Sequence, residues 1–267
     1  MRFEKFYDPD YLLFPGSYQT EVNNQLRLRF RQNYRYRLGS GEYIVELNNS
    51  MPGGQNRFSK ITLTSLQDIE ISRQFSLRLR AFVGYIAGQA TSQSLLYLSS
   101  GSSEDWIGNN WYAARGTLPQ QWAREGHIHP AGGGNVRGYQ ITREYKTGGE
   151  TQIASGNRLL SANVQFEVLS PLNPVFDIVP GLSDYFTTTA YLFFDTGLIG
   201  YSQHDDVIGL QSTTRTDAGI GILAELDLPG SLRKLGSFTV RFDFPLYLSK
   251  PPLGEDDFKF RWVMGIG

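Results

Sequence analysis

The sequence predicts an all-β fold, an antiparallel transmembrane β-barrel. Two observations predict it. Several runs alternate apolar and polar residues, which is the period of a strand with two unlike faces. The composition, with 29 Gly, 15 Tyr and 17 Phe among 267 residues and no Cys, favours many extended strands over a helical bundle or a disulfide scaffold.

The first strands are predicted in the N-terminal third of the chain. Between residues 26 and 38, apolar residues alternate with five arginines. Shorter alternating runs cover residues 43–47 and 57–71, and a longer one begins at Phe75. Because neighbouring side chains of a strand point to opposite faces, the arginines of the first run form a row on one face.

This arginine row has two interpretations. Basic stripes can bind acidic substrates or the phosphates of lipopolysaccharide. The favoured interpretation is a water-filled wall whose charge is balanced by acids on other strands. The expected balancing acids are Asp217, Glu225, Asp227 and Asp243.

The C-terminal half contains the clearest alternation. The predicted strands there cover residues 162–168, 190–195, 218–228, 238–248 and 258–266. Breakers that contain proline and glycine separate many of the runs, and the whole chain then holds about nine strands. In the first two of these strands, the alternation places Glu167 and Asp195 on the polar face.

Strand length separates a membrane barrel from a soluble one. Several runs reach ~9–11 residues, the length that a tilted strand needs to cross a bilayer, whereas strands of soluble proteins usually have ~5 or 6. Aromatic residues near the strand ends suit the girdles at the membrane interfaces. The alternative is a soluble carbohydrate- or ligand-binding β protein, whose apolar faces would pack against a second sheet.

The net charge and the N-terminal residues limit the classes of partner and the type of membrane segment that the sequence allows. The formal net charge of −1 shows no basic excess, which argues against nucleic acid as a partner. The chain lacks an apolar run of the ~18 residues needed for a membrane-spanning helix, and its start does not resemble a signal peptide. An outer-membrane protein must be exported, so we expect this chain to be a fragment of a longer protein.

A long loop is predicted at residues 89–157, too long for an ordinary hairpin connection. It contains the glycine-rich run GGGNVRGY at residues 132–139, which lacks the ending of a phosphate-binding loop. It also contains His127 and His129, a pair that binds metal only when further ligands converge, and nothing nearby in the sequence completes such a set.

Three motifs resemble one family. The loop run is similar to the Val-Arg-Gly-Tyr tip of the sixth extracellular loop in the bacterial surface antigen superfamily, which includes the barrel subunit of the outer-membrane assembly machine, the translocation-assembly barrel and two-partner secretion transporters. The run FFDTG at residues 193–197 resembles the superfamily's Phe-x-Asp-x-Gly strand motif. The strands with AGIG at residues 218–221 and FDFP at residues 242–245 precede a final aromatic strand, in the family's order.

The resemblance covers residues 75–267 and implies a complete barrel of about sixteen strands, of which this chain would be the C-terminal part. It implies a single partial barrel domain in the outer membrane of a Gram-negative-type bacterium, and a role in the assembly of outer-membrane proteins or in polypeptide translocation. The implied partners are outer-membrane lipids, client β-barrel or secreted polypeptides, periplasmic POTRA domains and accessory lipoproteins. The alternative function is a membrane anchor or secretion pore for a fused N-terminal passenger domain.

The loop tip, Val136, Arg137, Gly138 and Tyr139, is expected to fold into the lumen. Strand parity sends Glu167 and Asp195 inward, and we expect Arg137 to bind both carboxylates through its planar guanidinium. Gly138 would let the backbone approach the wall, and Tyr139 would pack against it. Alternatively, Arg137 is solvated and the two acids pair with lumenal arginines.

The remaining expectations concern the strand motif, the last strand and chemistry. Phe193 and Gly197 belong to the strand motif, and Phe258, Phe260 and Trp262 mark the strand on one side of the seam where the family closes its barrel. No nucleophile-elbow motif is present, so we predict no catalysis, and no cofactor or metal is expected.

Overall fold

The fold is antiparallel and almost entirely β. The computed structural model describes residues 2–4, 9–12, 18–20, 22–54, 56–107, 109, 116–139, 144–147, 150–153, 155–169, 186–200, 214–226, 238–252 and 254–266. The expected balancing acid Asp227 lies outside these residues.

The strands of the described residues are numbered in chain order. They are β1 (Arg2–Glu4), β2 (Asn23–Tyr36), β3 (Gly39–Ser50), β4 (Phe58–Glu70), β5 (Phe75–Gly88), β6 (Leu96–Tyr97), β7 (Glu144–Thr147), β8 (Glu150–Ile153), β9 (Ser155–Gly156), β10 (Arg158–Leu169), β11 (Phe186–Gly200), β12 (Arg215–Leu226), β13 (Phe238–Leu248) and β14 (Val263–Ile266). The short helices are α1 (Ser103–Trp106) and α2 (Gln120–Arg124). None of the helices in the described ranges is both long and apolar enough to cross a membrane.

Ten strands form one sheet in the order β1-β2-β3-β4-β5-β10-β11-β12-β13-β14, with every neighbouring pair antiparallel. The nine strands that the alternation predicts are all present, and β1 is the tenth. The all-β antiparallel prediction is therefore confirmed. The sheet order follows the chain except between β5 and β10, where the long loop leaves the sheet and returns.

The two faces of the sheet differ as the alternation predicts. On the outer face, large apolar side chains are solvent-exposed, including Phe30 at 61% and Leu192 at 57% exposure. The opposite face, which we call the lumenal face, carries buried polar side chains such as Asn163, Asp195 and Asp243. The exposure of the apolar face means that no second sheet covers it within the described part of the chain.

A bulge changes the parity near the end of β13. Ala218 lies opposite Tyr247 and Gly219 lies opposite Pro245, so Leu246 is an extra residue between the two pairs. An extra residue reverses the alternation beyond it. Leu248, which the sequence pattern places on the apolar outer face, is therefore fully buried on the lumenal face.

The packed core lies between the lumenal face and the long loop. One cluster joins strand residues such as Phe82, Ile86 and Leu159 to the loop residues Leu98 and Tyr139. The loop thus occupies the space that a single sheet would otherwise leave open.

Candidate functional site at the loop tip

The tip is held by two loop segments that lie in direct backbone contact. The amide of Gly134 donates to the carbonyl of Tyr97 at 3.1 Å, and the amide of Val136 donates to Leu98 at 3.0 Å. A Cβ on Gly134 would lie 2.2 Å from the Leu98 carbonyl oxygen. The glycine run therefore permits an approach between backbones that no larger residue would allow.

Arg80 on β5 fixes the entry to the tip. Its Nη2 donates to the carbonyl of Gly133 at 2.5 Å, and its Nη1 donates to Asn163 Oδ1 at 3.0 Å. Asn163 Nδ2 in turn donates to the carbonyl of Asn135 at 2.8 Å. Asn135 has a φ of +52°, a conformation that asparagine tolerates better than most residues. Two side chains of the wall thus set the direction in which the next residue points.

Arg137 is the centre of the site and is almost completely buried. Its Nε lies 3.1 Å from Asp195 Oδ2, and its Nη1 donates to Asp243 Oδ1 at 3.1 Å. Its Nη2 donates to Gln165 Oε1 at 3.1 Å, and its backbone amide donates to Asp195 Oδ2 at 3.3 Å. The guanidinium therefore contacts strands β10, β11 and β13 at once.

The charge of Arg137 is stabilised although its side chain is buried. Burial alone would lower the pKa of the guanidinium, but the charges of Asp195 and Asp243 outweigh burial and raise that pKa above the ordinary arginine value. A buried ion pair of this kind tolerates the loss of one partner poorly, since the other charge is left without compensation. The tip is consequently docked by groups that depend on one another.

Two aromatic rings complete the cradle of Arg137. The guanidinium carbon lies 4.2 Å from the ring centroid of Phe193 and 5.4 Å from that of Tyr191. A cation at this distance from a ring is attracted by its negative face. The Tyr191 hydroxyl donates to Asp243 Oδ1 at 2.6 Å, so the same ring also orients one of the carboxylates.

The glycines of β12 make room for these rings. A Cβ on Gly219 would lie 2.8 Å from the Phe193 ring, and a Cβ on Gly221 would lie 2.3 Å from the Tyr191 ring. β12 therefore presents a bare strip of backbone on its lumenal face, over which the rings from β11 lie. This explains why glycine occupies both lumenal positions of the AGIG run.

The residues on either side of Arg137 also contact the wall. The amide of Gly138 donates to a carboxylate oxygen of Asp217, and a Cβ on Gly138 would lie 3.0 Å from the Asp217 Cβ. The Tyr139 hydroxyl donates to the carbonyl of Thr216 at 3.3 Å and accepts from the amide of Lys250 at 3.2 Å.

Gly197 provides the space for Val136. A Cβ at Gly197 would lie 3.0 Å from Val136 Cγ2 and 2.7 Å from Leu98 Cδ1. Val136 itself is fully buried in the cluster between loop and sheet. The glycine of the FFDTG run thus faces the glycine-rich loop run directly.

The expectation that Glu167 contacts Arg137 is wrong. Glu167 accepts from Ser76 at 3.0 Å and lies 3.0 Å from Arg78 Nη1. Gln165 stands between the two groups, because its Nε2 donates to Glu167 at 2.7 Å while its Oε1 accepts from Arg137. Asp243, two strands beyond β11, takes the place that the sequence interpretation gave to Glu167.

The arginine row is balanced by different acids from those expected. Arg27 lies 2.7 Å from Glu46 and 3.0 Å from Asp105, and Arg29 lies 3.0 Å from Glu46. Glu46 is directly opposite Arg29 on the neighbouring strand, whereas Asp217 and Asp243 lie across the sheet at the tip. Cross-strand neighbours are only ~5 Å apart, so Glu46 can pair with both arginines. Asp105 of α1, in the long loop, supplies the second acid for Arg27.

A second contact docks the loop on β2. Glu104 of α1 is buried, and its Oε1 accepts from Asn23 at 3.2 Å and from Gln25 at 2.6 Å. Sequence reasoning missed this residue, since an acid in an irregular loop gives no parity signal. A cavity of about 720 Å³ lies between this contact and the tip, and its mixed polar and apolar lining includes the charged groups Arg29, Glu46 and Lys60.

The two histidines do not converge. The His127 ring stacks on Trp262 at 3.9 Å between ring centroids, whereas His129 is buried beside Arg241. Within the described ranges, no group of three or more potential metal-ligating side chains is present.

The last strand differs from its predicted form. Phe258 and Phe260 are exposed at 75% and 68%, as expected for outward residues, but they precede the regular strand, which begins at Val263. All four residues of β14 are buried.

Comparison with known proteins gives a distant structural likeness. No family model matches the chain. No curated protein sequence matches it. Among solved structures, the chain is similar to BamA from Haemophilus ducreyi lacking POTRA domains 1-3, with 14% sequence identity and a TM-score of 0.47. The likeness covers 92% of this chain and 43% of that protein, so the chain spans less than half of its length.

Proposed function

We propose that this chain is the C-terminal part of an outer-membrane barrel of the bacterial surface antigen superfamily, which assembles outer-membrane proteins or translocates polypeptides. The observation that carries the proposal is the docking of the Val-Arg-Gly-Tyr tip on the lumenal face through Arg137. The three motifs that resemble the family, the loop run, the FFDTG run and the AGIG strand, contribute to this one site.

The two faces of the sheet support the membrane assignment. Exposed Phe30 and Leu192 on the outer face suit hydrocarbon, while the lumenal face carries charged pairs that line a cavity. A strand that shows lipid on one side and water on the other needs this division. This division supports our proposal that the protein lies in the outer membrane of a Gram-negative-type bacterium.

The mechanism we propose is strand addition at the edge of the sheet. Backbone N–H and C=O groups of an edge strand form a template for another extended chain. β14 is the last strand of the described sheet, and the residues before it, Phe258 and Phe260, project from the edge region into solvent. Client polypeptides would pair there, and POTRA domains and accessory lipoproteins would deliver them.

Site-specific photocrosslinking in cells tests this function. A photoreactive residue at Phe260 should form adducts with newly made outer-membrane proteins. The matched control is the same residue at Leu192, which is exposed on the outer face in the middle of the sheet. Equal adduct yields at both positions, or none at Phe260 in a full-length protein that supports growth, would contradict the assembly role.

The alternative is an anchor or secretion pore for a fused passenger domain. The genomic DNA upstream of Met1 separates the two functions. POTRA repeats there would support assembly or translocation, whereas an enzyme domain would support the anchor.

A further inference from the structure

The outer edge of β14 is occupied by a segment of the long loop. β13 pairs with one side of β14, and residues 127–129 pair with the other side in parallel orientation. The amide of Met264 donates to the carbonyl of His127 at 2.7 Å, and the amide of His129 donates to the carbonyl of Met264 at 2.7 Å. We call residues 127–129 the loop strand.

Side chains reinforce this pairing. Ile128 packs with Met264 and Ile266 in a buried cluster that also contains the loop residues Trp106 and Leu118. Met264 lies opposite Phe242 of β13, which is exposed on the outer face. The loop therefore covers the Met264 side chain, which β13 leaves uncovered. This is why Met264 and Ile266 are only 5% and 7% exposed.

His127 closes the end of the pairing. Its ring lies parallel to the Trp262 ring, with an interplanar angle of 6°, and its Nδ1 donates to the Trp262 carbonyl at 2.8 Å. Three backbone groups at the edge, those of Trp262 and Met264, are thus satisfied by the loop. An edge strand without such a cover is a template for any extended chain.

The loop strand is also connected to the tip. His129 Nδ1 accepts from Arg241 Nη2 at 2.9 Å, and Arg241 Nε lies 2.7 Å from Asp243 Oδ2. Asp243 binds Arg137 through its other oxygen. A continuous chain of polar contacts therefore joins the cover of the edge to the docked tip, within a loop segment of eleven residues (127–137).

We infer that the loop strand is an autoinhibitory cover of the β14 edge, which an incoming antiparallel strand displaces. This inference rests on the proposed function. Parallel pairing is slightly less stable than antiparallel pairing per residue, and this pairing has only two backbone hydrogen bonds. A longer antiparallel strand would make more bonds along the same edge and would replace it.

A reversible covalent lock tests the inference. The given sequence contains no cysteine, so a disulfide between Ile128→Cys and Met264→Cys has no competing cysteine within these 267 residues. We expect the full-length double variant to form it in the outer membrane, and oxidation to reduce client adducts from a photoreactive residue at Phe260 at least about fivefold, the factor for one hydrogen bond of ordinary net strength. A reductant should restore the adducts.

The matched control is Ala131→Cys with Met264→Cys, because Ala131 is an exposed residue of the same loop outside the pairing. It should form no disulfide and keep its adduct yield. A folded 128/264 variant without a disulfide, or an adduct yield that oxidation leaves unchanged, would overturn the inference. A complete lack of adducts in both redox states would refute the proposed function and the inhibitory role with it, while the disulfide would still report the pairing.

A second variant measures the cover without a client. His129→Pro removes the amide that donates to the Met264 carbonyl, and hydrogen exchange of the Met264 amide should become roughly fivefold faster. Ala131→Pro is the control on the same loop. Unchanged exchange in His129→Pro would mean that the loop strand does not protect the edge.

Discussion

Replacing Arg137 by lysine tests whether geometry or charge docks the loop tip. The guanidinium contacts Asp195, Asp243 and Gln165 through different nitrogens. Lysine keeps the charge, but its single ammonium group cannot reach three partners that are arranged around a planar fork. The substitution should remove two of the three side-chain contacts.

The magnitude follows from those two contacts. Hydrogen bonds to charged groups contribute roughly 1.5–3 kcal/mol each, so Arg137→Lys should weaken docking of the tip by roughly 3–6 kcal/mol. The backbone amides of Arg137 and Gly138 donate to Asp195 and Asp217 on the wall, so both hydrogen bonds are lost when the tip leaves the wall. Their protection against hydrogen exchange should fall at least about 100-fold, since 1.4 kcal/mol corresponds to a factor of ten.

Hydrogen–deuterium exchange of the full chain in lipid nanodiscs measures this protection. The control is Arg124→Lys, the same change at an exposed position of the same loop. A loss of protection below about threefold in Arg137→Lys, equal to that of the control, would refute the reasoning that the fork docks the tip.

Three further predictions concern packing, pH and the outer face. Gly134→Ala should destabilise the docked loop by roughly 1–3 kcal/mol, because its methyl group would overlap the carbonyl that faces it. Proteolysis of the loop should therefore accelerate. Unchanged proteolysis would show that the two backbones can separate. Burial and the charge of Arg241 lower the pKa of His129 to about 3. In the released loop, His129 binds a proton below pH ~6.5, whereas in the docked loop it stays neutral. Docking should therefore weaken by roughly 2 kcal/mol when the pH falls from 7 to 5. His129→Gln should remove this pH dependence, as measured by hydrogen exchange. Leu192→Lys on the outer face should cost roughly 2–4 kcal/mol of folding free energy in lipid vesicles. Thr187→Lys, near the end of the same strand, should cost much less. Equal effects would contradict the proposed orientation in the membrane.

The division of the sheet into two faces could be predicted from the sequence because it depends only on alternation. Phe193 and Asp195 are two residues apart on one strand, so they lie on the same face. If one of them faces the lumen, the other does too. The loop run GGGNVRGY could also be found in the sequence, because its resemblance to the family's loop tip depends only on consecutive residues. These features are local.

The partner of Arg137 on β13 could not be predicted, because it depends on relations between strands. Parity gives the face of Asp243 and Glu167 but not which of them lies near the tip. Two glycines on the lumenal face of β12 determine that Asp243 is the partner. Because they carry no side chains, Tyr191 and Arg137 can extend across β12 to Asp243 on β13. The bulge at Leu246 was hidden for the same reason, as the apolar Leu248 fits either face when the neighbouring strand is unknown.

The position of Arg137 above β12 has a consequence for how the sheet is aligned. Its guanidinium holds Asp195 of β11 and Asp243 of β13, two strands that are not neighbours. A slip of β13 by two residues keeps every side chain on its own face, and alternation alone would not oppose it, but it would carry Asp243 ~7 Å away. One side chain from outside the sheet thus stabilises the native register of three strands over the shifted one. Folding of this region should therefore be complete only after the loop has entered the lumen.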